Sequence, residues 1–224
     1  MPGVAGVVED GIVAGMFAYE AGQAAVGDSF AWFVDTLSSS EIQSEAASRG
    51  LSVHEVLTER AAGLRPGETG LVALDWWNGN RCTLVDAELS GLIVGATLGT
   101  RPEHIYRALV ESTAFGTRVI ADALREGGVP VLRAVAGGGL TRNRMLMQIY
   151  ADVLGMQIEV AGASQASALG AAMLGAVAAG SAAGGYNSVE AAAAAMAPRP
   201  TELYVPEPAA HARYDELYAL YREL

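Results

Sequence analysis

Three consecutive glycines, Gly137, Gly138 and Gly139, lie between a short apolar stretch and an amphipathic segment that starts near Arg142. A strand that runs through glycines into a helix exposes backbone N–H groups and has no Cβ to block close approach. The helix adds the positive end of its dipole at the same place, so such a turn attracts anions. The natural anion is a nucleotide phosphate. The spacing therefore predicts a phosphate-binding turn at these glycines.

Two other interpretations of the glycine run stay open at this stage. The run could be a tight turn without any ligand, or it could belong to a dinucleotide-binding fold. The second interpretation would need a third glycine at position 142, where the chain has Arg142, and would use Glu159 as the ribose-binding acid. A Walker A loop is excluded, because it requires a lysine and all 14 basic side chains are arginines.

The elements that must position this turn follow from hydrophobic periodicity and from turn residues. In the second half of the chain, predicted strands alternate with predicted helices, which is typical of one α/β domain. The predicted strands are 4–8, 12–17, 71–74, 92–95, 131–136 and 157–160. The predicted helices are 21–37, 40–48, 52–62, 100–126, 142–154, 165–179, 188–196 and one from about 208.

Composition limits the classes of partner. The chain has 224 residues and a net charge of −11, which argues against nucleic acid or an anionic membrane as a general partner. Cys82 is the single cysteine and the start of the sequence does not resemble a signal peptide, so we expect a reducing, cytoplasmic location. The three histidines are scattered without metal-ligand spacing, and we predict no metal site built from them.

Four segments resemble the FGGY family of carbohydrate kinases. They are SGLIVGATLGTRPEHIYRALVE at 90–111, AGGGLTRN at 136–143, GMFAYEAGQAAVG at 15–27 and LDWWNGNR at 74–81. The last two resemble the ribulokinases within that family. The resemblance covers nearly the whole chain. The chain is most similar to the C-terminal lobe of such enzymes.

The resemblance implies an α/β, actin-like (ribonuclease H-like) fold with a mixed sheet flanked by helices. All of 1–224 would then form the C-terminal, ATP-binding domain. ATP and Mg²⁺ would be the cosubstrates, and L-ribulose or a related ketopentose would be phosphorylated. The resemblance also implies that the general-base Asp lies in an N-terminal lobe, which we expect to be absent from this chain. We therefore expect no catalytic residue here and no activity from the chain alone.

The resemblance also implies residue roles at the nucleotide. Gly137, Gly138 and Gly139 would approach the ATP phosphates, and the segment from Leu140 would start the helix whose N–H groups face them. Asn143 would lie beside the adenine or ribose. Its amide offers both a donor and an acceptor for that purpose. The alternative for Asn143 is capping of the following helix.

On the sugar side, Glu20 matches a carboxylate that contacts the substrate, and a solvated acid is the alternative. Asp75, Asn78 and Arg81 would lie in a loop facing the cleft between lobes. Arg81 could neutralise phosphate charge, because a guanidinium matches phosphate oxygens. The alternative for Arg81 is an ion pair with Asp75 or with Asp86.

Two further functions compete with a kinase lobe. The chain could be a non-catalytic nucleotide-binding or assembly module, and dinucleotide binding is the weaker option. An isolated lobe would also expose apolar surface, which favours self-association, and a homodimer is one outcome of that.

Overall fold

The structure is a computed structural model that describes residues 3–224. Its strands are β1 (Gly6–Glu9), β2 (Phe17–Glu20), β3 (Val72–Leu74), β4 (Leu92–Val94), β5 (Ala134–Ala136), β6 (Ile158–Val160) and β7 (Glu202–Tyr204). Its α-helices are α1 (Gly27–Leu37), α2 (Ser40–Arg49), α3 (Val53–Ala62), α4 (Pro102–Glu126), α5 (Arg144–Leu154), α6 (Ala166–Ala179), α7 (Val189–Met196) and α8 (Pro208–Glu223).

The strands form three small sheets. Strands β5, β6 and β7 form a mixed sheet, in which β5 and β6 are parallel and β6 and β7 are antiparallel. Strands β1 and β2 form an antiparallel hairpin, and β3 and β4 form a second antiparallel pair. Helices flank the mixed sheet, so the predicted α/β class is confirmed.

Helix α4 is the centre of the core. Its apolar residues recur at helical spacing on more than one side, and Tyr106, Leu109, Val110 and Phe115 are all buried. Helices α3 and α5 and strand β3 pack against it. Helix α8 covers α5 and β3 with an aromatic row, since Tyr214, Tyr218 and Tyr221 are buried. The elements beside the glycine turn are thereby fixed on one core.

The first predicted hairpin exists, but its second strand was placed too early. The structure starts β2 at Phe17, whereas we predicted a strand over 12–17. The reason is a wide turn closed by Asp10, whose backbone N–H donates to the Met16 carbonyl at 2.9 Å and whose Oδ1 accepts from the Gly15 N–H at 2.6 Å. Gly15 has a φ of 79°, which favours glycine there.

Three helix starts also differ from prediction. Helix α1 begins at Gly27 instead of position 21, because the side chain of Gln23 is bonded inside the protein. Helix α4 begins at Pro102 instead of position 100, because the Thr100 hydroxyl accepts from the Thr97 N–H at 2.9 Å in the preceding turn. Helix α5 begins at Arg144, two residues later than predicted, because a 3-10 helix precedes it.

Helix α6 was predicted as a packed, Ala-rich helix. It forms as predicted and packs against α7, but none of its residues is buried. Among residues 3–224, no helix combines the length and the apolarity that a bilayer span needs.

Candidate functional site

The glycine turn follows β5 directly. Gly138 has a φ of 95°, and the 3-10 helix Gly139–Arg142 follows before α5 starts. A Cβ added at Gly138 or Gly139 would meet no heavy atom of the described residues within 4 Å, so both backbones face open space. The predicted start of the α-helix at Leu140 was wrong. The turn nevertheless presents a bare backbone at the end of a strand, which suits close approach of an anion.

A cleft of about 730 Å³ lies beside this turn. That volume is in the range of small-molecule sites. Helices α1 and α3 form the opposite wall, and the buried side chains of Phe30, Tyr106 and Leu146 supply apolar surface. The lining residues are Gly27, Phe30, Leu51, Ser52, His54, Glu55, Thr58, Glu59, Tyr106, Gly139, Leu140, Arg142, Asn143 and Leu146.

Asn143 lies on the cleft wall and also caps a helix. Its Oδ1 accepts from the Leu146 N–H at 3.0 Å, which makes it the N-cap of α5. Its Nδ2 donates to the Thr58 hydroxyl at 3.1 Å and links the turn to α3. The capping alternative is therefore what the structure shows. The Asn143 side-chain oxygen can accept one more hydrogen bond and its nitrogen can donate one more. The cap therefore leaves room for a ligand contact.

The α3 side of the cleft contains a histidine. His54 is only half-exposed, and its Nδ1 lies 3.2 Å from the Tyr106 hydroxyl. Burial lowers the pKa of His54, so its imidazole is neutral at pH 7, and burial raises the pKa of Tyr106. Two uncharged rings thus lie at the cleft, with centroids 6.0 Å apart and planes tilted by 55°. Surfaces of this kind suit an aromatic base.

The sugar-side candidates lie outside this cleft. Arg81 Nη2 and Glu20 Oε1 form an exposed ion pair at 2.5 Å. Both predicted alternatives for Arg81, pairing with Asp75 or with Asp86, were therefore wrong. Asn78 lines a separate, smaller cleft of about 440 Å³ together with the stacked rings of Trp32 and Trp77. The structure thus separates the nucleotide candidates from the sugar candidates.

Asp75 does not face a cleft as predicted but lies in the core, 5% exposed. Its Oδ1 accepts from the Tyr221 hydroxyl and its Oδ2 from Gln23 Nε2, each at 2.6 Å. Gln23 also donates to the Thr113 carbonyl at 2.9 Å, and its Oε1 accepts from the Thr117 hydroxyl at 2.9 Å. This cluster anchors Gln23, three residues after Glu20, to the core.

Burial raises the pKa of Asp75, and the bonds from Tyr221 and Gln23 only partly oppose the shift. With a raised pKa the folded state holds its proton at a higher pH than the unfolded chain does. The contribution of Asp75 to the free energy of unfolding therefore decreases as the pH rises from about 4 through the raised pKa. We expect Asp75→Asn to remove that decrease, measured by urea unfolding between pH 4 and pH 7. Parallel profiles for the two proteins would contradict it.

Asp152 has a structural role at the end of α5. It is 5% exposed, and its Oδ1 accepts from Gln148 Nε2 at 2.9 Å and from the Glu207 N–H at 2.8 Å. These bonds tie α5 to the start of α8. Glu159, the acid of the dinucleotide interpretation, forms a 2.5 Å ion pair with Arg133 instead.

Comparison with known proteins decides the family. The sequence profile described as "FGGY family of carbohydrate kinases, C-terminal domain" matches residues 1–179. The chain belongs to the FGGY family. Its glycine turn and every residue that lines the cleft fall within the matched range.

Two curated relatives in this family are ribulokinases. The ribulokinase of Bacillus licheniformis is 51% identical over 225 residues, which cover 100% of this chain and 41% of the relative. That of Halalkalibacterium halodurans is 56% identical over 220 residues, or 98% of this chain and 39% of the relative. This FGGY chain therefore spans about two fifths of the length of these relatives.

A solved FGGY-type kinase has the same fold. The crystal structure of xylulose kinase from Rhodospirillum rubrum matches with a TM-score of 0.76 at 30% identity, covering 93% of this chain and 39% of that one. The actin-like fold that the sequence resemblance implied is thereby confirmed. Helix α8 lies beyond the matched family range, yet its Tyr214 and Tyr221 bond to Glu111 and Asp75 in the FGGY core.

Proposed function

We propose that this chain is the ATP-binding part of a ribulokinase, which transfers the γ-phosphoryl group of ATP to L-ribulose. One observation carries the proposal. The glycine turn and Asn143 meet at a cleft of ligand size, on a chain similar over its full length to ribulokinases. A cytoplasmic location is part of the same proposal.

ATP would occupy the cleft with its phosphates at the turn. The backbones of Gly138 and Gly139 are open to an anion, and Gly137 leads from β5 into them. The adenine ring of ATP would lie against Tyr106 and His54, with the Asn143 amide at the edge of the ring. Among residues 3–224 there is no cluster of three or more His, Cys, Asp or Glu able to hold a metal ion. Mg²⁺ would accordingly arrive on the nucleotide phosphates, as Mg²⁺ commonly does.

The sugar would be contacted by Glu20. A carboxylate can accept hydrogen bonds from two hydroxyl groups at once, which suits a polyol such as a ketopentose. Arg81 holds Glu20 through the exposed ion pair, and the Asp75 cluster anchors the segment that follows it. Arg81 and Asn78 would line the sugar side of the cleft between the two parts of the kinase.

Phosphoryl transfer needs positioning, charge neutralisation and a base for the attacking hydroxyl. We assign positioning of the nucleotide to this chain. We assign the general base that accepts the proton of the attacking hydroxyl to the remaining part of the kinase. The chain alone is then expected to release no ADP in response to L-ribulose.

Calorimetric titration of Mg-ATP into the purified chain tests the nucleotide site. Asn143→Ser keeps an oxygen that can cap α5 but removes the amide. We expect it to weaken Mg-ATP binding about tenfold, as loss of one hydrogen bond of about 1.4 kcal/mol would. The free energy of unfolding should stay within about 0.5 kcal/mol of the wild type, because Ser caps as well as Asn.

Two control variants separate ligand contact from structure. Asn187→Ser makes the same chemical change at an exposed position away from the cleft, and should not alter binding. Thr58→Val removes the internal partner of the Asn143 amide but keeps the size of this cleft-lining side chain, and we expect an effect of about threefold or less. Absence of saturable binding at millimolar ATP would contradict the proposal, as would equal affinities for Asn143→Ser and Asn187→Ser.

A further inference from the structure

A chain of hydrogen bonds follows the wall of the cleft beside the glycine turn. The Leu146 N–H donates to Asn143 Oδ1 at 3.0 Å, and Asn143 Nδ2 donates to the Thr58 hydroxyl at 3.1 Å. The Thr58 side chain bonds to the Tyr106 hydroxyl and opposes the effect of burial on the Tyr106 pKa, as a donated hydrogen bond does. The Tyr106 hydroxyl lies 3.2 Å from His54 Nδ1. This hydrogen-bond chain therefore links the N-cap of α5 to α3 and α4, and it ends at His54.

The chemistry of its members gives this hydrogen-bond chain one direction. A backbone N–H can only donate, so the Leu146 contact identifies the oxygen of the Asn143 amide and leaves the amide nitrogen to donate to Thr58. Thr58 donates onward to the Tyr106 oxygen. Tyr106 is 2% exposed, so its hydroxyl hydrogen needs an acceptor inside the protein, and His54 Nδ1 is that acceptor. The hydrogen bonds thus run from Asn143 towards His54 and not in the reverse direction.

The direction of the hydrogen-bond chain fixes the tautomer of His54. Burial lowers the pKa of His54, so the ring is neutral at pH 7 and has one acceptor nitrogen and one donor nitrogen. Because Nδ1 accepts from Tyr106, the hydrogen is on Nε2. Within residues 3–224 this Nε2 makes no hydrogen bond, and His54 lines the cleft. The cleft therefore contains an N–H donor that no group of the described chain engages, on a ring that Tyr106 holds.

We propose that His54 selects the nucleobase by donating its Nε2–H to a ring nitrogen of adenine. The inference rests on the proposed function, because it takes the cleft as the ATP site. Adenine carries ring-nitrogen acceptors at N1, N3 and N7, and each of them matches an N–H donor. The Asn143 amide has one donor and one acceptor position left, so it complements this contact at another edge of the base. A site that hydrogen-bonds its ligand rejects an analogue without the matching group, because a buried polar atom is then left unpaired.

Calorimetric titration with deaza analogues of ATP tests this contact. Each analogue has a C–H group in place of one ring nitrogen, so it loses one acceptor and keeps the shape of the base. We expect the purified chain to bind one of Mg-1-deaza-ATP, Mg-3-deaza-ATP and Mg-7-deaza-ATP about tenfold more weakly than Mg-ATP. His54→Phe, which keeps a flat ring without the donor, should weaken Mg-ATP binding by about the same factor. In His54→Phe that analogue and Mg-ATP should bind equally, because the donor is already absent.

Control variants separate the donor from the ring that carries it. His54→Gln keeps an N–H donor at about the reach of Nε2, and its affinity should stay within about threefold of the wild-type affinity. His104→Phe makes the same change as His54→Phe at a histidine that does not line the cleft, and it should bind Mg-ATP as the wild type does. Nitrogen NMR of the imidazole rings tests the tautomer directly, since the chain has only three histidines. We expect Nε2–H at His54 in the wild type, and both tautomers in Tyr106→Phe, which lacks the hydroxyl that holds Nδ1.

The outcomes distinguish this inference from the proposed function. Saturable Mg-ATP binding combined with equal affinities for all the deaza analogues would overturn the role of His54 and leave the nucleotide site intact. The same conclusion would follow from equal affinities of His54→Phe and His104→Phe, from a loss in His54→Phe that is the same for ATP and for every analogue, or from an Nδ1–H tautomer in the wild type. Absence of saturable Mg-ATP binding to the wild type would overturn the proposed function, and with it the assignment of His54.

Discussion

Replacing Glu111 by Gln should lower the free energy of unfolding by about 3 to 5 kcal/mol, the range expected when one partner of a buried ion pair is removed. Glu111 is 2% exposed, and its Oε1 accepts from Arg107 Nε at 2.8 Å and from the Tyr214 hydroxyl at 2.9 Å. Burial raises the pKa of Glu111, while Arg107 and Tyr214 oppose the shift. We take the pair as ionised at neutral pH, because the 2.8 Å contact places a permanently charged guanidinium directly against the carboxylate.

The cost arises because the uncharged amide of the Glu111→Gln variant would leave the Arg107 guanidinium buried without a counter-charge. Arg107 also donates to the Ala61 carbonyl at 2.9 Å and to the Tyr214 hydroxyl at 2.9 Å. It thus joins the end of α3, the first half of α4 and helix α8. Since α3 forms one wall of the cleft, we also expect weaker Mg-ATP binding in Glu111→Gln.

Urea unfolding with two comparison variants tests this expectation. Glu216→Gln breaks an exposed ion pair with Arg213 on α8 and should cost no more than about 0.5 kcal/mol. The triple variant Arg107→Met/Glu111→Leu/Tyr214→Phe removes both charges and the buried hydroxyl that bonds to both, and it should recover part of the loss, because well-packed apolar residues can replace a buried pair. A cost for Glu111→Gln as small as that of Glu216→Gln would contradict the assignment.

The helices of the fold could be predicted wherever a local signal sufficed. Periodic apolar residues predicted α4 and α5. The start of α3, predicted at position 52, carries a capping box formed by Ser52 and Glu55. The start of α1 could not be predicted this way. It depends on Gln23, whose amide bonds to Asp75 and Thr113, residues that are distant in sequence.

Only part of the candidate site could be predicted, because local sequence signals do not show contacts between residues that are distant in sequence. Glycines and a following Asn mark the turn in the sequence. Nothing local indicates that Thr58, 85 positions from Asn143, lies within hydrogen-bonding distance of it. Glu20 and Arg81 are 61 positions apart. Packing of the loop after β3 places Arg81 beside Glu20 and not beside the aspartates that are nearer to it in sequence. Spacing reveals a backbone feature, whereas side-chain partners across the fold emerge only from packing.

Gly116→Ala should lower the free energy of unfolding by about 2 to 4 kcal/mol. A Cβ at Gly116 would lie 2.7 Å from Asp75 Cγ and closer still to Asp75 Oδ2 and Gln23 Nε2, which cannot be accommodated without separating the two groups. Overpacking in a core costs about 1 to 3 kcal/mol, and loss of a bond to a buried carboxylate adds a similar amount. The better helix propensity of Ala offsets about 1 kcal/mol of this.

Gly170→Ala is the matched control, because it makes the same change in helix α6. A Cβ there would meet no atom of the described chain within 4 Å, so this variant should gain about 0.5 to 1 kcal/mol. Opposite signs for two identical substitutions would assign the cost to the Asp75–Gln23 bond and not to helix propensity. Since Gln23 anchors the segment after Glu20, Gly116→Ala should also alter the protease sensitivity of residues 20–26. Equal stabilisation by both substitutions would show that the Asp75 cluster does not constrain this segment.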